Sequence, residues 1–130
     1  MNEESYIAAT KEAMSKAYVP YSNYPVGALI VTNNGNTYSG CNVENASYPL
    51  GNCAEASAIA SMVIAGEKKI KMIYVMTTND EGGIPCGGCR QRIREFSDAN
   101  TQIMMCSPDG VQQRINLSEL LPNSFGPEHL

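Results

Sequence analysis

The chain has 130 residues, an apolar share of 43% and a formal net charge of −4 at pH 7, which predicts one domain, 1–130, with enough apolar sequence to build a core. That acidic balance offers no electrostatic grip on a polyphosphate backbone, so no nucleic-acid partner is expected. No apolar run approaches the roughly 20 residues of a spanning helix, and the opening Met-Asn-Glu-Glu-Ser is acidic where a signal peptide is basic, so a soluble cytoplasmic protein without a membrane partner is expected.

Glu3 to Tyr18 carry Ile7, Met14, Ala17 and Tyr18 at helical spacing with Lys11, Glu12 and Lys16 between them, which predicts an amphipathic helix. Pro20 and Pro25 bracket a turn. Val26 to Thr32 and Thr37 to Val43 read as two strands joined by the hairpin turn Asn33-Asn34-Gly35-Asn36. After a loop rich in Asn, Ser, Pro and Gly, Cys53 to Ala65 is helical by composition and stops at Gly66. Glu67 to Lys71 is a solvated connection. Met72 to Thr78 is apolar enough to be buried on both faces and is expected at the centre of a sheet. The Gly-rich loop Asn79 to Pro85 leads into a second helix start, Cys86 to Ser97. Gln102 to Cys106 and Val111 to Leu117 are strands joined through Pro108-Asp109-Gly110. The order predicts an α/β fold, one sheet with helices packed on it, and no repeat or linker interrupts it.

The five cysteines are an odd number, and in a reducing compartment they read as ligands, nucleophiles or small core residues rather than a disulfide framework. Cys86 and Cys89 are spaced to share one helix face at a start where unpaired amides favour thiolate. By itself that Cys-x-x-Cys fits a metal site and a redox dithiol equally. Cys53, a third thiol at another helix start and without a convincing fourth ligand, points to a tetrahedral zinc with one position open to water, the arrangement of catalytic zinc. A structural zinc ribbon would need a second such pair, and the only His, His129, is one residue from the C-terminus and reads as a solvated tail residue. Glu55 is rotated about 200° from Cys53 along a helix, which keeps it off the metal but near its water, as a proton carrier. An isolated Glu in a first turn would instead be a dipole-stabilising surface residue. Cys41 and Cys106 are expected to be small strand hydrophobes.

Cys53-Ala54-Glu55, followed by Pro85-Cys86-Gly87-Gly88-Cys89-Arg90-Gln91, resembles the zinc nucleoside and nucleobase deaminases. More narrowly, the chain is similar to the small, three-cysteine, homotetrameric cytidine deaminases. The similarity runs through Tyr21 to Ala28, Gly40 to Tyr48, and Leu120-Leu121-Pro122 with Phe125. The resemblance implies a three-layer domain with a central five-stranded mixed sheet flanked by helices. It implies one zinc ion per subunit on Cys53, Cys86 and Cys89, attack of zinc-activated hydroxide at C4 of cytosine, and Glu55 moving protons to N3 and the departing ammonia. Cytidine and 2′-deoxycytidine would be the substrates, in pyrimidine salvage. Asn42 and Glu44 would hold the ribose hydroxyls, with Tyr24 and Ala54 at the base. Ala46, Tyr48 and Phe125 would reach across subunit interfaces of a homotetramer with shared sites, and Arg90 and Gln91 would stand behind the ligands.

Two departures from the family pattern stand out. Tyr24 replaces a frequent Phe and adds a hydroxyl to the pocket wall that must be hydrated or hydrogen-bonded. Ala56 replaces a usual Arg that offsets the surplus negative charge of three thiolates. Arg90 is the nearest basic candidate to replace it, while Arg92 and Arg94 read as solvated. Without an Arg at 56, the thiolates are expected to donate more strongly to zinc and leave its water less acidic. The alternative within the same chemistry is a zinc deaminase for another or modified aminopyrimidine nucleoside, or a nucleoside antibiotic. A polynucleotide deaminase is disfavoured by charge and size, and a noncatalytic zinc module would be indifferent to loss of Glu55.

Overall fold

The computed structural model describes residues 2–130. Asn2 caps the first helix, α1 (Glu3–Ser15), its Oδ1 accepting from the Ser5 amide at 3.0 Å, and Glu3 and Glu4 occupy the first turn where the helix dipole favours acids. The helix ends at Ser15 rather than Tyr18 because the chain there is drawn into a bridge with Val43. The Tyr18 amide donates to the Asn42 carbonyl at 3.0 Å, and the Tyr18 carbonyl accepts from the Glu44 amide at 2.9 Å. Backbone pairing outweighs helical periodicity at that point.

Strands β1 (Gly27–Thr32) and β2 (Thr37–Cys41) form the expected hairpin, closed at Gly35 with φ 84°. With β3 (Ile70–Met76), β4 (Gln102–Ser107) and β5 (Gly110–Asn116) they make one sheet in the order β2-β1-β3-β4-β5. Only β3 and β4 pair in parallel, so the sheet is mixed and β3 is central, as its apolar run predicts. Register aligns Ile30 with Ile73, Ile73 with Ile103 and Ile103 with Ile115 on one face. The next residues, Leu29, Tyr74 and Met104, align on the other. Helix α1 covers the second face through Met14. Helices α2 (Ala54–Ile64), α3 (Gly87–Glu95) and α4 (Leu117–Leu120) cover the isoleucine face through Ala58, Met62, Ile93, Leu117 and Leu120, giving three layers.

The last strand lies where the sequence predicts it, and helix α4, which the sequence reading does not assign, follows directly and takes Leu117 from it. Asn116 ends β5 and caps α4 in a capping box with Glu119, which turns Leu117 into the core. At the other end of the sheet, Gly40 of β2 touches the backbone of α2. A Cβ there would overlap the Ala58 nitrogen and sit 2.6 Å from the Ala54 carbonyl oxygen, so the fully buried Ala54 and Ala58 are small because α2 lies directly on the strand. Gly66, with φ 93°, ends α2 as expected. Among the described residues no helix is long and apolar enough to cross a membrane.

Candidate metal centre

Two helix starts converge here. Cys53 is the N-cap residue of α2 and Cys86 that of α3, each in extended backbone, and Cys89 lies in the first turn of α3. Their three sulphurs lie within 4.8 Å of one another, the one such grouping among the described residues. A tetrahedral zinc with Zn–S bonds of about 2.3 Å separates its sulphurs by about 3.8 Å, so the cluster has the size and the soft donor set that zinc takes. Three protein donors leave a fourth position for water.

The three thiols stand in unlike electrostatic surroundings. The amide of Cys89, and then that of Gly88, hold the Cys86 thiol below its ordinary value. Burial pushes the Cys53 and Cys89 thiols up, Cys89 being fully buried and facing Glu55 and Cys53 as well. A divalent cation would offset the negative charge such thiols take on when they lose their protons to bind it. Glu55, in the first turn of α2, is only 4% exposed, and burial raises its carboxyl above the usual range. A buried carboxyl beside the thiol cluster is placed to take and give up a proton there.

One cavity of about 190 Å³ brings Cys53, Cys86, Cys89, Glu55, Ala54, Asn42 and Tyr24 to the same surface. Asn42 follows β2, and both ends of its amide are anchored. Its Oδ1 accepts from the Val26 amide at 2.9 Å and its Nδ2 donates to the Tyr24 carbonyl at 3.0 Å. The extra hydroxyl of Tyr24 is satisfied by Asn79 Nδ2 at 3.1 Å. Thr77 also lines this cavity, fully buried, and its Oγ1 has no hydrogen-bond partner among the described residues. No motif in the sequence singles it out.

Glu44 and Tyr48 lie in a neighbouring depression of about 280 Å³ with Tyr21 and Ser22. There the Glu44 carboxylate accepts from the amides of Tyr21 and Ser22 at 3.0 and 3.1 Å and from the Ser22 hydroxyl, and the Ser22 hydroxyl lowers its pKa. Ala46 is exposed, Tyr48 is 75% exposed and Phe125 57% exposed, so none of the three reaches the cavity of its own chain. The Phe125 carbonyl accepts from Gln91 Nε2 at 2.9 Å, and its ring stacks on His129 at 5.5 Å. His129 is exposed, as its terminal place predicts, with its ring also stacked on Phe125.

The basic residue on the thiols is not Arg90. Arg90 spans two carbonyls, Nε donating to Pro85 at 3.0 Å and Nη1 to Leu120 at 2.9 Å. It is Arg92, exposed as the sequence reading expects, whose Nη1 nevertheless donates to Cys89 Sγ at 3.6 Å. The side chain folds back along α3, a rotamer that sequence position does not reveal. Cys41 Sγ donates to the Lys16 carbonyl at 3.6 Å, and Cys106 is fully buried in the strand core.

Residues 1–105 match the family model described as the cytidine and deoxycytidylate deaminase zinc-binding region. The chain is 38% identical over 130 residues to a cytidine deaminase of Sporosarcina psychrophila, covering 100% of this chain and 96% of that one. It is 40% identical over 126 residues to a cytidine deaminase of Mycoplasma genitalium, covering 96% of each. Its structure superposes on the crystal structure of cytidine deaminase from Burkholderia pseudomallei with a TM-score of 0.90 and 40% identity, covering 96% of this chain and 100% of that one.

Proposed function

Because the chain belongs to the cytidine and deoxycytidylate deaminase family, we propose that it hydrolyses cytidine and 2′-deoxycytidine to uridine and 2′-deoxyuridine with release of ammonia. The observation that carries this reading is the buried Glu55 beside a cluster of three thiols at two helix starts. Zinc bound by Cys53, Cys86 and Cys89 supplies the Lewis acidity that makes a water nucleophilic near neutral pH. Glu55 would accept the proton that water gives up on adding to C4 and deliver it to ring N3, then take the proton of the new C4 hydroxyl as the carbonyl forms and pass it to the departing amine. Its burial keeps its proton affinity high enough for both transfers.

Substrate orientation falls to groups that are already fixed. Asn42, anchored at both amide ends, retains a second N–H and a second lone pair for a ribose hydroxyl. Glu44, oriented by Tyr21 and Ser22, faces the adjoining depression as an acceptor for the sugar. Tyr24 and Ala54 border the base, while Arg90 holds the Pro85 carbonyl before Cys86 and Gln91 holds the Phe125 carbonyl. A homotetramer with shared sites accounts for Ala46, Tyr48 and Phe125 at the surface. The exposure of Leu50 (71%) and Ile64 (89%) beside that of Tyr48 supports burial between copies. Residues 1–130 act in this reading as one zinc-binding domain in the cytoplasm. The Tyr24 hydroxyl, held by Asn79 at the cavity wall, favours a modified aminopyrimidine nucleoside as the second reading.

The test is incubation of zinc-loaded protein with cytidine, 2′-deoxycytidine and ring-substituted analogues, with ammonia and the uracil product both measured. Stoichiometric ammonia and uridine are expected. Zinc-loaded protein that releases ammonia from none of these nucleosides would overturn the proposal.

A further inference from the structure

Three thiolates on a divalent cation leave one net negative charge, and an ionised Glu55 adds a second. Such charge is costly where Cys89 and Glu55 are buried, unless a cation answers it. Ala56, next to Glu55, offers none. Arg90 is engaged by the Pro85 and Leu120 carbonyls, and Arg94 pairs with Glu128 at 2.7 Å. Arg92 pairs with no carboxylate among the described residues, and its Nη1 donates to Cys89 Sγ at 3.6 Å. Its guanidinium lies close over Gly88, where a Cβ would stand 3.1 Å from Nη1 and push it aside by a few tenths of an ångström. Two local features of α3, a side chain one turn beyond Cys89 and a missing Cβ beside it, thus agree on one placement of the guanidinium.

We propose that Arg92, lying over Gly88 with its guanidinium on Cys89 Sγ, is the positioning residue that supplies the counter-charge of the metal centre, so that residue 56 need not. This inference rests on the zinc reading above. Arg92 touches no substrate and acts on the metal only through Cys89. Its charge is permanent and its donors are directional, so it offsets negative charge on Cys89 Sγ from a fixed direction.

The test is chelator competition for zinc, at one fixed pH, by wild type, Arg92→Ala, Arg92→Lys and the double variant Arg92→Ala with Ala56→Arg. Loss of Arg92 is expected to weaken zinc binding about ten-fold or more, as removal of groups behind metal ligands does. Lys is expected to restore part of the affinity, as a point charge without the directed fork, and Arg at 56 to restore part of it from the other helix. In cobalt-substituted protein, the sulphur-to-cobalt charge-transfer band should move to lower energy in Arg92→Ala, because an unbonded thiolate is the better donor. Wild type that binds one zinc, with Arg92→Ala matching it in affinity and in cobalt spectrum, would overturn this proposal alone. Wild type that binds no zinc would overturn the zinc reading beneath it.

Discussion

Replacing Gly40 with Ala drives a methyl group into the backbone of α2. The added Cβ would lie 2.6 Å from the Ala54 carbonyl oxygen and 2.8 Å from Ser57 Cβ, besides overlapping the Ala58 nitrogen. Ordinary contact between such atoms begins near 3.5 Å, so α2 must retreat by about 1 Å, the overlap with the Ala58 nitrogen being the tightest. Overpacking of a core costs about 1–3 kcal/mol, and the upper end applies here because backbone atoms cannot rotate aside. The loss of unfolded-state freedom on going from Gly to Ala returns about 0.4–1 kcal/mol. The net is a destabilisation of about 2–3 kcal/mol, or a midpoint lower by about 10 °C in a chain of this size. The same retreat carries Cys53 and Glu55 with it, since one caps α2 and the other sits in its first turn. A displacement near 1 Å at such a site costs on the order of 100-fold in rate. Thermal melts by circular dichroism and cytidine turnover read the two effects separately. A variant melting within about 2 °C of wild type with full turnover would refute the packing account of why small residues follow Glu55.

Glu67 accepts from the Tyr38 hydroxyl at 2.6 Å and from the amides of Asn36 and Asn34 at 3.0 and 2.9 Å, bonds that hold its pKa at about 2 against an ordinary 4.5. A carboxylate depressed in the folded state stabilises above its ordinary value and loses that contribution as pH falls toward 2. Denaturant melts between pH 5 and pH 2 should therefore fall more steeply for wild type than for Glu67→Gln, and equal slopes would contradict the bonding. Thiol alkylation gives another check. Zinc-loaded protein should label at Cys41 alone, since Cys106 is buried and the other three are ligated, and chelation should expose Cys86 first, the accessible thiol of lowered pKa. Labelling of Cys86 that ignores chelation would remove the cluster as a metal site.

The sheet is legible in the sequence because apolar runs, Asn-Gly and Asp-Gly turns and a strongly apolar β3 leave few other arrangements. The gathering of the three thiols is legible too, since Cys-x-x-Cys and a further Cys at a second helix start constrain position through the helix itself. Boundaries set by distant pairing are not. Tyr18 continues a helical pattern but bridges Val43, a partner 25 residues away. Helix α4 is too short for periodicity to show, although the Asn116 and Glu119 box that starts it is written in the chain. Arg92 differs in kind. Its contact with Cys89 depends on a folded-back rotamer and on the space left by Gly88, and three arginines at alternating positions look equivalent until those are known.

Glu55 is the proton carrier of the proposed reaction. Glu55→Gln keeps the shape of the buried side chain and removes its capacity to carry a proton, while Cys53, Cys86 and Cys89 stay as they are. Zinc content and cytidine turnover should be measured on the same preparation. One zinc per chain with turnover lowered at least about 100-fold is the predicted result, the scale on which a positioned proton carrier contributes. Full zinc content with turnover close to that of wild type would contradict the account.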